Sequence, residues 1–252
     1  MTTIKDIINY FESFAPVSSA MDFDNVGLLV GDKETEITKV LVALDITSDV
    51  VLEAEKLGCE LIISHHPVIF APLKKLNSKN VPYMLISKGI SALCMHTNLD
   101  LGEIFGVNIC LANALGVKNP VKSELGECLF IGELENETDI TDFVLEAKKA
   151  LDCNGLRYTD SKKTVKKIAV SSGSGGCEIF NAVSEGADVL VVGEIKHHEI
   201  NFANEAGINI IDAGHFKSED VVISPLIKHL STEFPNIIFT KSKAYSDKIK
   251  FA

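Results

Sequence analysis

The sequence predicts an α/β protein of two similar, interleaved domains, and three observations lead to this prediction. Short apolar stretches of strand length alternate with amphipathic stretches of helix length along most of the chain. One helix–glycine–strand pattern occurs four times, each time followed by polar residues. The first two copies and the last two copies resemble a diverged duplication. We therefore expect largely parallel or mixed sheets flanked by helices.

The composition is that of an ordinary globular protein. The chain has 252 residues, of which 46% are hydrophobic and 23% charged, and this length suits one large or two small domains. No apolar run approaches the length that spans a membrane, and the amphipathic N-terminal segment is not a signal peptide. We therefore expect a cytoplasmic protein without a membrane partner.

Charge and cysteine content exclude two further classes. The net charge of −11 argues against nucleic-acid binding, which depends on clustered Lys and Arg. The one basic cluster, residues 162–167, is predicted to be a solvated strand edge. The six cysteines are scattered and form no CxxC pair, so we interpret them as reduced packing residues and expect no thiolate metal site.

The first elements lead to a pair of histidines. An amphipathic N-terminal helix precedes strands at 26–30 and 40–44, and a helix at 49–57 ends at Gly58. The following stretch, LIISHHPVIF, loses its strand pattern at Pro67, so its two histidines, His65 and His66, lie where the strand stops. Side chains in this position are either metal ligands, or one caps the strand and the other is solvated.

The four repeated units place polar residues at equivalent strand ends. His65 stands seven residues after Gly58, and His96 stands seven residues after Gly89. In the second half, Gly186 is followed by Gly193 and Glu194, and Gly207 by Gly214 and His215. In a parallel arrangement these ends are expected on one edge of a sheet.

Two of these positions begin matching pairs. His96 precedes Asp100 by four residues, and His215 precedes Glu219 by four. If each segment starts a helical turn, imidazole and carboxylate project from one face. A solvent-facing helix start would explain either pair alone, but it explains both pairs beside His65 and His66 much less well.

The remaining segments set the expected domain limits. We predict a strand at 129–134, a helix at 140–151 and a strand at 156–159, then a closing helix at 220–230 and a strand at 237–240, with the tail 241–252 unassigned. The first domain is predicted to comprise residues 1–125, completed by 215–252. The second is predicted to comprise residues 126–214.

Three motifs have alternative interpretations. The glycine-rich stretch SSGSGG at 171–176 could hold a substrate phosphate, but it lacks the P-loop lysine, which favours a tight strand-to-helix turn. His197 and His198 either contact substrate or face solvent on a first helical turn. Asp22, Asp24 and Asn25 either support metal-bound histidines or form a turn, and turn formation is favoured.

Taken together, the motifs resemble a known family. The segments are DNVGLLVG at 24–31, SHHP at 64–67, HTNLD at 96–100, SSGSGG, and GHFKSE at 214–219. They resemble the dinuclear-metal proteins named GTP cyclohydrolase 1 type 2 homologues over nearly the whole chain. One departure is Phe23, where that family usually has tryptophan.

The resemblance implies a metal pair in the cleft between two α/β domains of a ring-shaped homohexamer. It implies the metal ligands His65 and Asp100 on one ion, His66 and His215 on the other, and Glu219 between them. His96 would then be a proton shuttle or a supporting group, with His96 and Glu219 as the catalytic residues. Three imidazoles and two carboxylates suit two divalent ions of zinc, iron, manganese or nickel.

Two classes of function are consistent with this resemblance. The first is a metal-dependent hydrolase that acts on a nucleotide or another phosphorylated small molecule through a metal-activated water, because no nucleophile elbow is present. The alternative is a non-enzymatic metal-handling or regulatory protein that acts through partners.

Overall fold

The computed structural model describes residues 1–251, in which helices alternate with strands along much of the chain. The helices are α1 (Ile4–Phe11), α2 (Ser48–Leu57), α3 (Val81–Lys88), α4 (Thr97–Asp100), α5 (Val107–Ala114), α6 (Ile140–Ala150), α7 (Ile179–Ser184), α8 (His197–Ala206), α9 (His215–Asp220) and α10 (Ile223–Glu233). The strands are β1 (Gly27–Val30), β2 (Lys39–Ala43), β3 (Leu61–Ser64), β4 (Ser91–Cys94), β5 (Lys118–Lys122), β6 (Phe130–Asp139), β7 (Arg157–Tyr158), β8 (Thr164–Ser171), β9 (Val189–Val192), β10 (Asn209–Asp212) and β11 (Ile238–Lys241). Single 3-10 turns lie at Val17–Ser19 and Gly175–Glu178. Among the described residues, every helix is too short or too polar to cross a lipid bilayer.

The chain divides into two compact units, and each has its own sheet and core. The first unit comprises Met1–Leu101 with Ile223–Ser246, and the second comprises Gly102–Val222 with the terminal segment from Asp247. The sequence predicts the boundaries between the units near residues 126 and 214. The observed boundaries differ because α5 packs against β5, β6 and β8, and because Val221 packs against the core of the second unit.

The first unit contains a five-stranded mixed sheet in the order β1–β4–β3–β2–β11. Strands β11, β2, β3 and β4 run parallel, and β1 lies antiparallel to β4. Helices α2 and α3 cover one face through buried side chains such as Val51 and Leu85. Because β3 and β4 are parallel neighbours, the residues that follow them lie side by side at one edge of the sheet.

The second unit contains a six-stranded mixed sheet in the order β5–β6–β8–β9–β10–β7. Strands β8, β9 and β10 are parallel, and the other three are antiparallel to their neighbours. Side chains alternate between faces, so Ile168 and Val170 pack with α5 and α6 while Ala169 packs with α7 and α8. Helices therefore cover both faces of this sheet, as the apolar strand sequences require.

The two sheets share the topology of four strands, which agrees with the duplication in the sequence. In each unit three parallel strands follow one another in chain order, and an antiparallel strand lies beside the third: β1 beside β4, and β7 beside β10. The repeated glycines have φ of 70° at Gly58, 65° at Gly89, 69° at Gly186 and 72° at Gly207. The helix ends predicted at these glycines are confirmed, and all four glycines lie in the left-handed region.

Several expectations were wrong in detail. The four repeated units do not meet on one sheet edge, since two belong to each sheet. The basic cluster at 162–167 is a strand edge only in part, because Lys162 and Lys163 are exposed before β8 begins. Within β8, the cluster pairs with β6 alone, since β9 pairs only from Ile168 onward. The closing helix begins at Ile223, and α5 and β5 were not predicted because their local sequences carry weak periodicity.

Candidate metal centre

Three histidines of the first unit converge at the end of its parallel strands. His65 and His66 follow β3, and His96 follows β4. Their ring centroids are separated by 5.0 Å between His65 and His66, 5.1 Å between His65 and His96, and 5.5 Å between His66 and His96. One ring nitrogen from each of the three lies within 4.8 Å of the others. The predicted convergence of strand-end histidines is confirmed within this unit.

His65 is the most deeply buried of the three. Its side chain is 1% exposed, and its Nδ1 lies 2.9 Å from the carbonyl oxygen of Met95. A carbonyl oxygen can only accept, so Nδ1 carries the proton and Nε2 the lone pair. Nε2 faces the carboxylate of buried Asp100, at 3.6 Å from Oδ1. Asp100 reaches this position because His96 and Asp100 occupy one turn of helix, with the amide of Asp100 donating to the carbonyl of His96.

The other two histidines of this set are each held by a carboxylate. His66 Nδ1 lies 3.0 Å from Asp45 Oδ1, and His96 Nδ1 lies 2.9 Å from Asp24 Oδ1. Asp24 also accepts from Thr97, at 3.0 Å from its amide and 2.6 Å from its hydroxyl. Asp24 does take part in a turn, since its amide donates to the carbonyl of Met21, but its fully buried side chain also orients His96. Asp22, by contrast, is exposed.

Burial and hydrogen bonding shift the pKa values of Asp24 and His96 in opposite directions. Burial would raise the pKa of Asp24, but the hydrogen bonds from Thr97 and His96 outweigh it and hold that pKa below its ordinary value. Burial, reinforced by the neighbouring His65 ring, lowers the pKa of His96 despite its hydrogen bond to Asp24. The pair is therefore favoured as a carboxylate beside a neutral imidazole.

In the second unit one histidine lies between two carboxylates. His215 begins α9 directly after β10, with its Nδ1 2.7 Å from Glu194 Oε1 and its Nε2 3.1 Å from Glu219 Oε2. Glu219 is 3% exposed and stands one helical turn after His215, as its spacing predicted. Burial would raise the pKa of Glu194, but hydrogen bonds from Ser174 and His215 keep it below its ordinary value.

All four histidine rings have the same orientation, and this orientation shows whether they suit a metal ion. In each ring Nδ1 faces an acceptor: the carbonyl of Met95, or a carboxylate of Asp45, Asp24 or Glu194. This arrangement makes Nε2 the basic nitrogen and fixes the plane of the ring, as in protein sites where histidine binds a transition metal. The donor set, imidazole nitrogens with Asp100 and Glu219, therefore fits a divalent transition-metal ion.

The structure also settles the positions of His197 and His198 and identifies two further carboxylates of the site. His197 and His198 are exposed on the first turn of α8, which matches the solvent-facing interpretation. Sequence reasoning missed the supporting roles of Asp45 and Glu194. The available signal was their position, because each stands two residues after the end of a strand, β2 or β9.

Comparisons with known proteins identify close similarity along the whole chain. A family model described as Duf34/NIF3 (NGG1p interacting factor 3) matches residues 2–247. The chain is 36% identical to a Clostridium perfringens protein named GTP cyclohydrolase 1 type 2 homolog, over 98% of this chain and 99% of that protein. It is 34% identical to a Campylobacter jejuni protein of the same name, over 95% of this chain and 97% of that protein.

Solved structures agree with the sequence similarity. A Staphylococcus aureus hypothetical protein superposes with a TM-score of 0.92 at 31% identity, covering 99% of each chain. A Bacillus cereus protein related to NIF3 superposes with a TM-score of 0.89 at 25% identity, covering 100% of this chain and 99% of the other. The fold described above is therefore that of these proteins.

Proposed function

The chain belongs to the Duf34/NIF3 family, and from this membership and the two sets of imidazoles and carboxylates we propose that it binds two divalent metal ions. The proposed ligands are His65, His66, Asp100, His215 and Glu219. The observation that carries the proposal is the shared orientation of the histidines, with Nδ1 of each ring on an acceptor. Zinc, iron, manganese and nickel all suit this donor set.

We further propose that the protein is a metal-dependent hydrolase of a nucleotide or another phosphorylated small molecule. The chemistry supplied when divalent ions are bound is Lewis-acid polarisation of a substrate oxygen. His96 would transfer a proton at Nε2, because Asp24 holds its Nδ1 and so fixes the tautomer. Glu219 would contribute the charge that keeps the two ions together, with its carboxylate held one helical turn from His215.

A second candidate is a metal-handling protein that delivers its ions to a partner. The observation that favours it is the partial exposure of two proposed ligands, with 23% of the His66 side chain and 34% of the His215 side chain accessible. Ligands at the surface permit exchange with a partner, whereas a buried donor set would retain its ions.

Metal content tests the binding proposal. Protein purified without an affinity tag should contain two transition-metal ions per chain by elemental analysis. His66→Ala and His215→Ala should each lose most of one ion after dialysis against a chelator, because each proposed ion has few protein ligands. The matched control is His198→Ala, whose ring is 70% exposed and which should retain both ions. Two ions retained in both ligand variants would contradict the assignment.

Turnover separates the two functions. A screen of nucleotides and phosphodiesters should reveal hydrolysis by the metal-loaded protein that is lost in Glu219→Gln. The Gln variant keeps the shape of the side chain while removing its charge. Absence of turnover, together with rapid exchange of bound ions into a competing chelator, would favour the metal-handling protein instead.

A further inference from the structure

The glycine-rich stretch 171–176 remains without a role in the proposed function, and its contacts in the second unit define one. We propose that Ser174 is a positioning residue for the metal ligand His215, acting through Glu194. This inference rests on the proposed function, because it assigns support to one of the proposed ligands. It agrees with the tight strand-to-helix turn that the sequence favours over a phosphate cradle.

The first step is a short chain of hydrogen bonds. The hydroxyl of Ser174 donates to Glu194 Oε2 at 2.9 Å, and Glu194 Oε1 accepts from His215 Nδ1 at 2.7 Å. Both carboxylate oxygens are thereby held, so the carboxylate cannot rotate without breaking one of the two bonds. Because Glu194 itself is exposed, its own packing does not fix it, and Ser174 supplies the missing restraint.

The backbone of the same turn also supports the proposed ligands His215 and Glu219. The amide of Gly173 donates to Ser218 Oγ at 3.0 Å, and the fully buried Ser218 donates in turn to the carbonyl of His215 at 2.9 Å. Gly173 has a φ of +58°, and a Cβ there would lie 2.2 Å from Glu219 Oε1. The turn therefore closes directly against both His215 and Glu219, with no space for a side chain.

The same contacts argue against anion binding by this turn. Its amides at Ser172 and Gly173 already donate to Asn108 Oδ1, at 2.8 Å, and to Ser218 Oγ. A phosphate would have to displace these internal acceptors, and Asn108 is fully buried. Gly173 therefore serves close packing against the ligand helix instead of an open cradle.

Titration with cobalt(II) alone, followed by its visible absorption, tests the inference. Ser174→Ala should weaken cobalt binding at the site that contains His215 by about tenfold, the lower end of effects at residues that orient metal ligands. His215→Ala should weaken binding at the same site further, to an affinity that is still measurable. Ser174→Ala should also change the absorption spectrum, because the imidazole is no longer held in one orientation. Ser174→Thr keeps the hydroxyl and should restore both properties. The matched control is Ser184→Ala, which removes an exposed hydroxyl of α7 that donates to the carbonyl of Phe180 in the same helix.

A double-mutant cycle separates positioning from general structural support. If Ser174 acts through His215, adding Ser174→Ala to His215→Ala should not change cobalt affinity further. Equal affinity and an equal spectrum for Ser174→Ala and the unmodified protein would overturn the inference. Additive losses in the double variant would overturn it as well. Failure of the unmodified protein to bind cobalt would instead overturn the proposed function on which it rests.

Discussion

At the scale of single residues, the chemistry of the candidate site depends on side chains that would not themselves touch a metal ion. Asp24, Asp45 and Glu194 each accept from a histidine Nδ1 and so set which ring nitrogen is basic. Asp24 is the most constrained, because its buried carboxylate also receives the amide and the hydroxyl of Thr97. Asp24 thus links the DNVG segment to the HTNLD turn.

Asp24→Ala should therefore reduce metal retention by about 10- to 100-fold, since His96 and α4 lose their common anchor. The measurement is the dissociation constant for zinc in competition with a chromophoric chelator. Asp22→Ala is the matched control, as it removes an exposed carboxylate two residues away and should leave zinc affinity unchanged. Equal affinities in the two variants would show that Asp24 does not support the site.

At the scale of elements, one carboxylate explains how the segment after β11 is held in the first unit. Glu53 on α2 accepts from the hydroxyl of Ser242 at 2.5 Å, the amide of Lys243 at 3.0 Å and the amide of Ala244 at 3.2 Å. These bonds place Ala244 and Tyr245 against the core beside α2. The sequence left this segment unassigned because the contact joins residues 189 to 191 positions apart.

The lowered pKa of Glu53 leads us to predict a specific pH dependence of the free energy of unfolding. Burial would raise its pKa, but the hydrogen bonds from Ser242, Lys243 and Ala244 hold it below the unfolded value of 4.5. A depressed pKa stabilises the folded state fully above pH 4.5, and this contribution is lost as the pH falls through the lower folded pKa. Glu53→Gln should lower the free energy of unfolding by about 1 kcal/mol at pH 7, as measured by urea denaturation.

The difference in the free energy of unfolding between the unmodified protein and Glu53→Gln should shrink as the pH is lowered below 4.5. The control is Glu205→Gln, an exposed position on α8, which should follow the unmodified protein at every pH. A deficit that is independent of pH would indicate lost packing in place of lost charge.

At the scale of the whole molecule, the resemblance to the family leads us to expect a homohexamer. The described surface includes large apolar side chains such as Ile104, 82% exposed, and the neighbouring rings of Phe23 and Phe70, 63% and 56% exposed. Association would remove such surface from water.

Static light scattering should give a mass about six times the chain mass of 27.3 kDa, unchanged on dilution in the micromolar range. Stable homo-oligomers keep their mass on dilution because they bury large apolar interfaces. A mass equal to one chain at every concentration would contradict the hexamer.

The sequence by itself determined the fold class, the repeated units and the strand-end positions of the histidines. These features are local: apolar periodicity, glycine after a helix, and the four-residue spacings of His96 with Asp100 and of His215 with Glu219 are all visible in short windows. The tertiary structure alone decided which sheet each repeat joins, because strand pairing depends on contacts between distant residues.

The partners of the histidine rings were decided in the same way. Asp24 lies 72 positions from His96, and Glu194 lies 21 positions from His215. No periodicity connects such pairs, and only the packing of neighbouring strands and turns brings each carboxylate to Nδ1. The sequence thus placed the candidate ligands at the strand ends, whereas tertiary packing set their tautomers, their orientation and the supporting role of the glycine-rich turn.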